Sequence, residues 1–164
     1  MRGVVYMSIE IRTSKVNVDW ERVSFLLQHF GLSHEDAERQ KLIFERSYAV
    51  AFAYDEELLI GCGRALSDGI CQAAIYNIAV DSGYHGKQIG RAMIDSLISQ
   101  LQGCTIILYT HPQTVALYEK FGFRRQKTGM VLLQKEQEEV EWMEKEGFLL
   151  PLAYRFGDNS YEQR

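Results

Sequence analysis

The sequence predicts an α/β domain with a mixed, mostly antiparallel central sheet and helices on both faces. Ser47 to Tyr54, Leu58 to Leu66 and Cys71 to Val80 are strand-like runs separated only by Asp55-Glu56-Glu57 and Ser67-Asp68-Gly69, and turns that short join antiparallel strands. After Val80 the period changes, with Ile89, Met93 and Leu97 on one helical stripe and Ile94, Ile98 and Leu101 beside it. Cys104 to Thr110 is then a continuous apolar run, as expected of a strand buried on both faces, so a β-α-β unit follows the meander.

The remaining elements follow in chain order. Tyr6 to Arg12 alternates and reads as a half-exposed first strand. Asp19 caps a helix whose Trp20, Val23, Leu27 and Phe30 form an apolar face ended at Gly31. Ser33-His34-Glu35-Asp36 is similar to a capping box, with Asp for the usual Glu, and opens a second helix to about Glu45. His111-Pro112 ends the 104–110 strand, Gln113 to Lys120 is a short helix closed by Phe121-Gly122, and Gly129 to Gln134 reads as another strand. Residues 135–164 form an appendage: a charged helix over 136–146 with Val140, Trp142 and Met143 as its apolar contacts, Gly147 as C-cap, an apolar stretch from Phe148 to Phe156, and a tail. A surface helix plus a covering strand is its plain reading; a homodimer contact or a wall of the substrate site is the sharper one.

The 164 residues are expected to form a single domain, with a core over 6–134. Hydrophobic residues at 46% and charged ones at 24% are globular averages and argue against disorder and membrane spans. A net charge of −4 argues against a nucleic-acid partner, which calls for a basic footprint. The opening has no signal-peptide core, Met7 is an alternative start, and the expected compartment is the cytoplasm. Cys62, Cys71 and Cys104 make no C-x-x-C pair and the four histidines show no ligand spacing, so no metal site is expected and the cysteines read as buried free thiols.

One stretch carries chemistry. Ile75 to Val80 is a buried strand, Asp81-Ser82-Gly83 turns, and a helix opens near Gln88, with His85-Gly86-Lys87-Gln88-Ile89-Gly90-Arg91 between. Glycines permit close backbone approach, and the free N–H groups and dipole of a helix's first turn attract anions. Two cationic side chains add to this, making a candidate diphosphate site. Any tight βα turn has the same outline. The spacing is neither that of a P-loop nor a complete G-x-G-x-x-G.

Together with Ala116-Leu117-Tyr118-Glu119-Lys120-Phe121-Gly122-Phe123, the stretch from Tyr76 to Met93 resembles the GNAT superfamily of acetyl-CoA-dependent N-acetyltransferases. The resemblance covers roughly residues 6–134 in element order, its specific motifs only 75–93 and 113–123. It implies a GNAT-like fold and acetyl-CoA as co-substrate. By resemblance the backbones of Ile78, Ala79 and Val80 hold the pantetheine arm, while Gly86, Lys87, Gln88, Ile89, Gly90 and Arg91 hold the diphosphate. In the family's Arg/Gln-x-x-Gly-x-Gly/Ala motif, His85 stands for the Arg or Gln and Gln88 for the first glycine, so the side chain at 88 must point away from the pyrophosphate. Arg64-Ala65-Leu66-Ser67-Asp68-Gly69 with Gly129-Met130 is similar to a bacterial and plastid branch that includes the plant aralkylamine acetyltransferases. That branch generally has Asp where this chain has Asn77, and Asn-Ile-Ala-Val is instead shared with the ribosomal-protein N-terminal acetyltransferases.

Acetyl transfer to an amine needs a neutral amine, an oxyanion donor and a proton for the departing thiolate. Tyr118 is the expected general acid, and a backbone N–H near Ile78 the expected oxyanion donor. The base has no clear candidate. Asn77 lacks a carboxylate but offers a hold for water; Asp68 reads equally as turn chemistry. His111, at a strand end, is placed to bind cofactor or take a proton and reads equally as structural. A water relay is the remaining route. The expected partner is a small-molecule or protein amine, attacking directly in a ternary complex. The alternative is a catalytically silent acyl-CoA-binding or sensing module, motivated by the altered glycine motif and the missing carboxylate.

Overall fold

A computed structural model describes residues 9–134 and 137–150. They fall into two compact units divided between Leu108 and Tyr109.

In the first unit, β1 (Ile9–Arg12) pairs antiparallel with β2 (Ala49–Asp55), β2 with β3 (Leu58–Ser67), and β3 with β4 (Gln72–Val80). β5 (Thr105–Ile107) joins β4 in parallel, so the sheet order is the chain order. The part of the first-strand expectation over residues 6–8 lies outside the described residues. α1 (Trp20–His29) starts where Asp19 accepts the Arg22 N–H, and its Val23, Leu26 and Leu27 are buried. α2 (Ala37–Glu45) contributes Phe44, which stacks on Phe52 of β2 at 5.6 Å between centroids. This apolar cluster includes Cys62 and Ala79. α3 (Ile89–Ser99) covers the opposite face so closely that a Cβ at Gly61, next to Cys62, would collide with Met93 Sδ at 2.9 Å, and one at Gly63 would meet Leu97 Cδ1 at 3.4 Å as well as Ile78 Cδ1 of β4 at 2.5 Å.

Several expectations need correction. The second helix is capped by Asp36, which accepts the Arg39 N–H at 2.9 Å, and begins later than a Ser33 cap implies. Ser33 Oγ is occupied by the Gln40 amide and the Glu35 N–H, and a carboxylate suits the positive helix end better than a hydroxyl. The expected two-sided strand over 104–110 shrinks to the three residues of β5, of which only Ile106 is half-buried. Among the described residues it is the last strand of the sheet, so there the apolar run borders the sheet instead of running through its centre. Gly129 to Gln134 forms no strand: Met130 is 99% and Leu132 84% exposed, and β-propensity without a paired neighbour does not make one. Of the cysteines only Cys62 is buried, its thiol pushed up to about 12 by desolvation; Cys71 is exposed and Cys104 half-buried.

In the second unit a 3-10 turn (Pro112–Thr114) leads into α4 (Val115–Lys120), and α5 (Gln137–Lys145) ends at Gly147, whose φ of 81° permits the bond from Phe148 N–H to the Met143 carbonyl. Phe148 packs on Trp142 at 5.5 Å between centroids. The covering strand expected through Phe156 lies, from residue 151 on, outside the described residues.

Candidate functional site

The β3–β4 ladder has a fault that sets the site. Cys62 pairs with Ala79 and Arg64 with Tyr76, so Asn77 and Ile78 together oppose Gly63 alone. This is a β-bulge, which bends a strand and removes backbone groups from the ladder. Asn77 takes the left-handed conformation (φ 58°), which asparagine tolerates better than most residues. Its side chain is fixed on both sides: Oδ1 accepts from Arg64 Nε at 2.6 Å, and Nδ2 donates to the Leu32 carbonyl at 3.3 Å. Gly63 leaves the room that the Ile78 side chain fills.

The chain leaves β4 through a tightly tied loop. Asp81 N–H donates to the Ile60 carbonyl at 2.7 Å, and Asp81 Oδ1 accepts the Gly83 N–H at 2.9 Å, capping a 3-10 turn over Ser82–Tyr84. Tyr84 hydroxyl donates to Asp55 Oδ2 at 2.7 Å. His85 Nε2 donates to the Val80 carbonyl at 2.7 Å, and its ring stacks on Phe30. Asp81 is held below the usual carboxylate range, first by the Gly83 N–H and then by Arg22.

Past His85, Gly86 (φ 77°) and Gln88 (φ 64°) are both left-handed, and alternation of this kind turns successive N–H groups towards one side. Gln88 occupies the N-cap of α3 without offering a side-chain bond, so its side chain satisfies none of the first-turn amides of Ile89, Gly90 and Arg91. A Cβ at Gly90 would meet nothing nearer than Val80 Cγ2 at 3.9 Å, leaving open approach there. Lys87 lies over the Tyr84 ring at 4.9 Å, and Arg91 pairs with Asp95 at 3.0 Å. The geometry is that of an anion cradle next to an opened strand, with Ile78, Ala79 and Val80 on the strand and 86–91 on the cradle.

A left-handed Gln carries a steric cost that Gly avoids, about 1 kcal/mol. Gln88→Gly should therefore raise the thermal midpoint or leave it unchanged, and should not weaken anion binding; a lowered midpoint would show that the Gln88 side chain contributes a contact of its own.

The other candidate residues divide. Asp68 Oδ1 accepts from the N–H groups of Cys71, Ile70 and Gln72, which drive its pKa strongly down; it is engaged as a turn anchor. His111 Nδ1 accepts the Gln113 N–H at 3.2 Å, and its Nε2 lies 3.5 Å from Glu146, both structural bonds. Tyr118, on α4, has Phe121 and Phe123 edge-on at about 6 Å, and burial pushes its hydroxyl pKa up against an opposing hydrogen bond with Thr110. Such a phenol stays protonated at neutral pH.

Sequence reasoning missed Arg22, Asp55 and Tyr84, the ties that hold the loop. It also found no carboxylate cluster, whereas α1 and α2 form a shallow groove lined by Glu21, Asp36 and Glu38 beside Phe25; those positions are separated in sequence and meet only when the helices pack.

Residues 46–125 match the acetyltransferase (GNAT) domain family. The chain is similar to a protein of Arabidopsis thaliana named GCN5-related N-acetyltransferase 1, chloroplastic, at 23% identity over 135 residues, covering 77% of this chain and 68% of that one. It is also similar to rice serotonin N-acetyltransferase 2, chloroplastic (26% identity; 69% of this chain, 60% of that one), and to soybean histone acetyltransferase TAP1 (35% identity over 79 residues; 46% and 34%). Among solved structures, a probable acetyltransferase of Staphylococcus aureus superimposes with a TM-score of 0.68 at 22% identity, covering 77% of this chain and 99% of that one. Arabidopsis thaliana glucosamine-6-phosphate N-acetyltransferase gives 0.60 at 20% identity, covering 78% and 99%. No helix among the described residues is long and apolar enough to cross a membrane.

Proposed function

We propose that this chain, whose residues 46–125 are a GNAT acetyltransferase domain, moves the acetyl group of acetyl-CoA onto a free primary amine by direct attack in a ternary complex. The observation that carries the reading is the pairing of the left-handed Gly86 and Gln88 with an α3 N-terminus whose N-cap residue, Gln88, makes no side-chain cap bond, beside a strand opened at Asn77. An anionic ligand fits there: amides 86–91 would take the diphosphate, and the backbone of Ile78 to Val80 the pantetheine arm. The acceptor amine must be neutral to attack, and an alkyl ammonium near pKa ~10 must first lose its proton. With Asn77 held by Arg64 and Leu32 and Asp68 turned into its own turn, water carries that proton away. The oxyanion is received by a backbone N–H of the bulge near Ile78, and Tyr118 protonates the sulfur. His111 has a supporting part near the cofactor at most. Free thiols at all three cysteines support a reducing, cytoplasm-like compartment.

For the acceptor we favour an amine with an apolar or aromatic body, in line with the likeness at 64–69 and the printed name of the rice relative. A polycation is the second reading, favoured by the carboxylates of the α1–α2 groove. An amine panel followed by release of free thiol from acetyl-CoA decides. Tryptamine-like amines should outrun spermidine, and kcat/KM should rise with pH as the amine deprotonates. Spermidine or protein N-termini as much better acceptors would overturn the choice of acceptor. Saturable coenzyme binding with no turnover of any amine would establish the silent module instead.

A further inference from the structure

We infer that Arg22 is a positioning residue for the coenzyme: from α1 it holds the Asp81 carboxylate, and through it the loop that delivers the α3 N-terminus. This rests on the proposed coenzyme site. Arg22 Nε donates to the Leu59 carbonyl at 3.0 Å, so the guanidinium is anchored on β3. Its Nη2 donates to Asp81 Oδ2, and the ion pair is largely withdrawn from solvent, with side-chain exposures of 21% and 26%. Phe25 flanks the guanidinium, whose Cζ lies 5.1 Å from the ring centroid.

The two carboxylate oxygens of Asp81 have separate duties. Oδ2 takes Arg22; Oδ1 takes the Gly83 N–H and so caps the turn that precedes the left-handed Gly86. With Arg22 in place the carboxylate has one orientation and its charge is balanced. Without Arg22 the carboxylate gains a rotational choice, the turn loses its fixed cap, and an unbalanced negative charge stands at the entry of a loop meant for a diphosphate. Both consequences lower affinity for the coenzyme, and neither touches the acetyl group. The ties from Tyr84 to Asp55 and from His85 to Val80 keep the loop in place in outline, so the loss is one of affinity and not of fold.

The test is calorimetric titration of coenzyme A itself into wild type, Arg22→Leu, Asp81→Asn and the double variant, with thermal midpoints recorded for each. Losing a charge-assisted bond of this kind corresponds to about tenfold weaker binding for Arg22→Leu. The double variant should bind no more weakly than Arg22→Leu alone, because the two residues act in series, and Arg22→Lys should recover part of the affinity. At saturating acetyl-CoA, kcat should be unchanged. Unaltered affinity in folded Arg22→Leu, or losses that simply add in the double variant, overturns the inference. If Arg22→Leu does not fold, the same cycle run with Arg22→Lys decides. Wild type that fails to bind coenzyme A overturns the proposed function and this inference together, whereas wild type and Arg22→Leu binding alike overturns the inference alone.

Discussion

Gly90→Glu should abolish saturable acetyl-CoA binding in a protein that is as stable as wild type or slightly more so. Gly90 lies in the first turn of α3, outside the left-handed region, and a Cβ there would have only Val80 Cγ2, at 3.9 Å, within contact distance from outside its own turn. The fold therefore has no reason to object. A carboxylate in a helix's first turn even favours the helix by a few tenths of a kcal/mol. In the proposed site the same carboxylate would lie against the diphosphate, where like charges about 5 Å apart at an effective dielectric near 20 repel by about 3 kcal/mol, a loss of more than about 100-fold. Opposite signs for stability and affinity make this a clean test. Unchanged affinity by calorimetry in the folded variant would show that the cradle at 86–91 is not the anion site.

Tyr118→Phe should leave coenzyme affinity alone and lower kcat by about 10- to 100-fold, the range for loss of one positioned acid. As the proposed acid, the hydroxyl would be needed only as sulfur departs, so its removal would act on the transition state and not on the ground state. Burial raises the Tyr118 pKa above its ordinary value of 10. A group that acts when protonated and has a raised pKa keeps its function through the neutral and mildly basic range and loses it only as the pH passes that raised pKa. Wild-type kcat should accordingly show no basic decline across the neutral and mildly basic range, and the variant should differ from it by a constant factor there. Equal kcat in the two proteins, with acetyl transfer shown to limit the rate, rules Tyr118 out as the acid.

The parts of the fold legible in the sequence were those fixed by near neighbours. Asp19 before a 3.6-residue stripe, two short polar turns between apolar runs, and the change of period after Val80 each specify their element locally. The outline of the 81–91 loop was legible for the same reason, and Gln88, standing in place of a glycine, does take the left-handed backbone, as Asn77 does at the bulge. Failures came where partners decide. The apolar run at 104–110 cannot announce that it borders the sheet, and Gly129 to Gln134 has strand composition without a ladder to join. Arg22 reads as the solvated face of an amphipathic helix, because its partners Leu59 and Asp81 come 37 and 59 residues later. Asn77 showed the missing carboxylate, but its part in the bulge depends on Arg64 across the sheet and Leu32 beyond α1.

The glycines facing α3 have a bearing on how the protein measures its ligand. Because Gly61 and Gly63 bring β3 into direct contact with Met93, and the Ile78 side chain fills the space over Gly63, the helix that starts at the cradle is seated on the strand pair that carries the bulge. The separation between the place for a phosphate and the place for a thioester is then a fixed length, set by close-packed side chains that resist compression. With coenzyme in the proposed site, such an arrangement would act as a gauge. It would register the span of the pantetheine arm independently of the acyl group at its tip, so that changing the acyl chain tests the acceptor side of the site while shortening the arm tests the gauge itself.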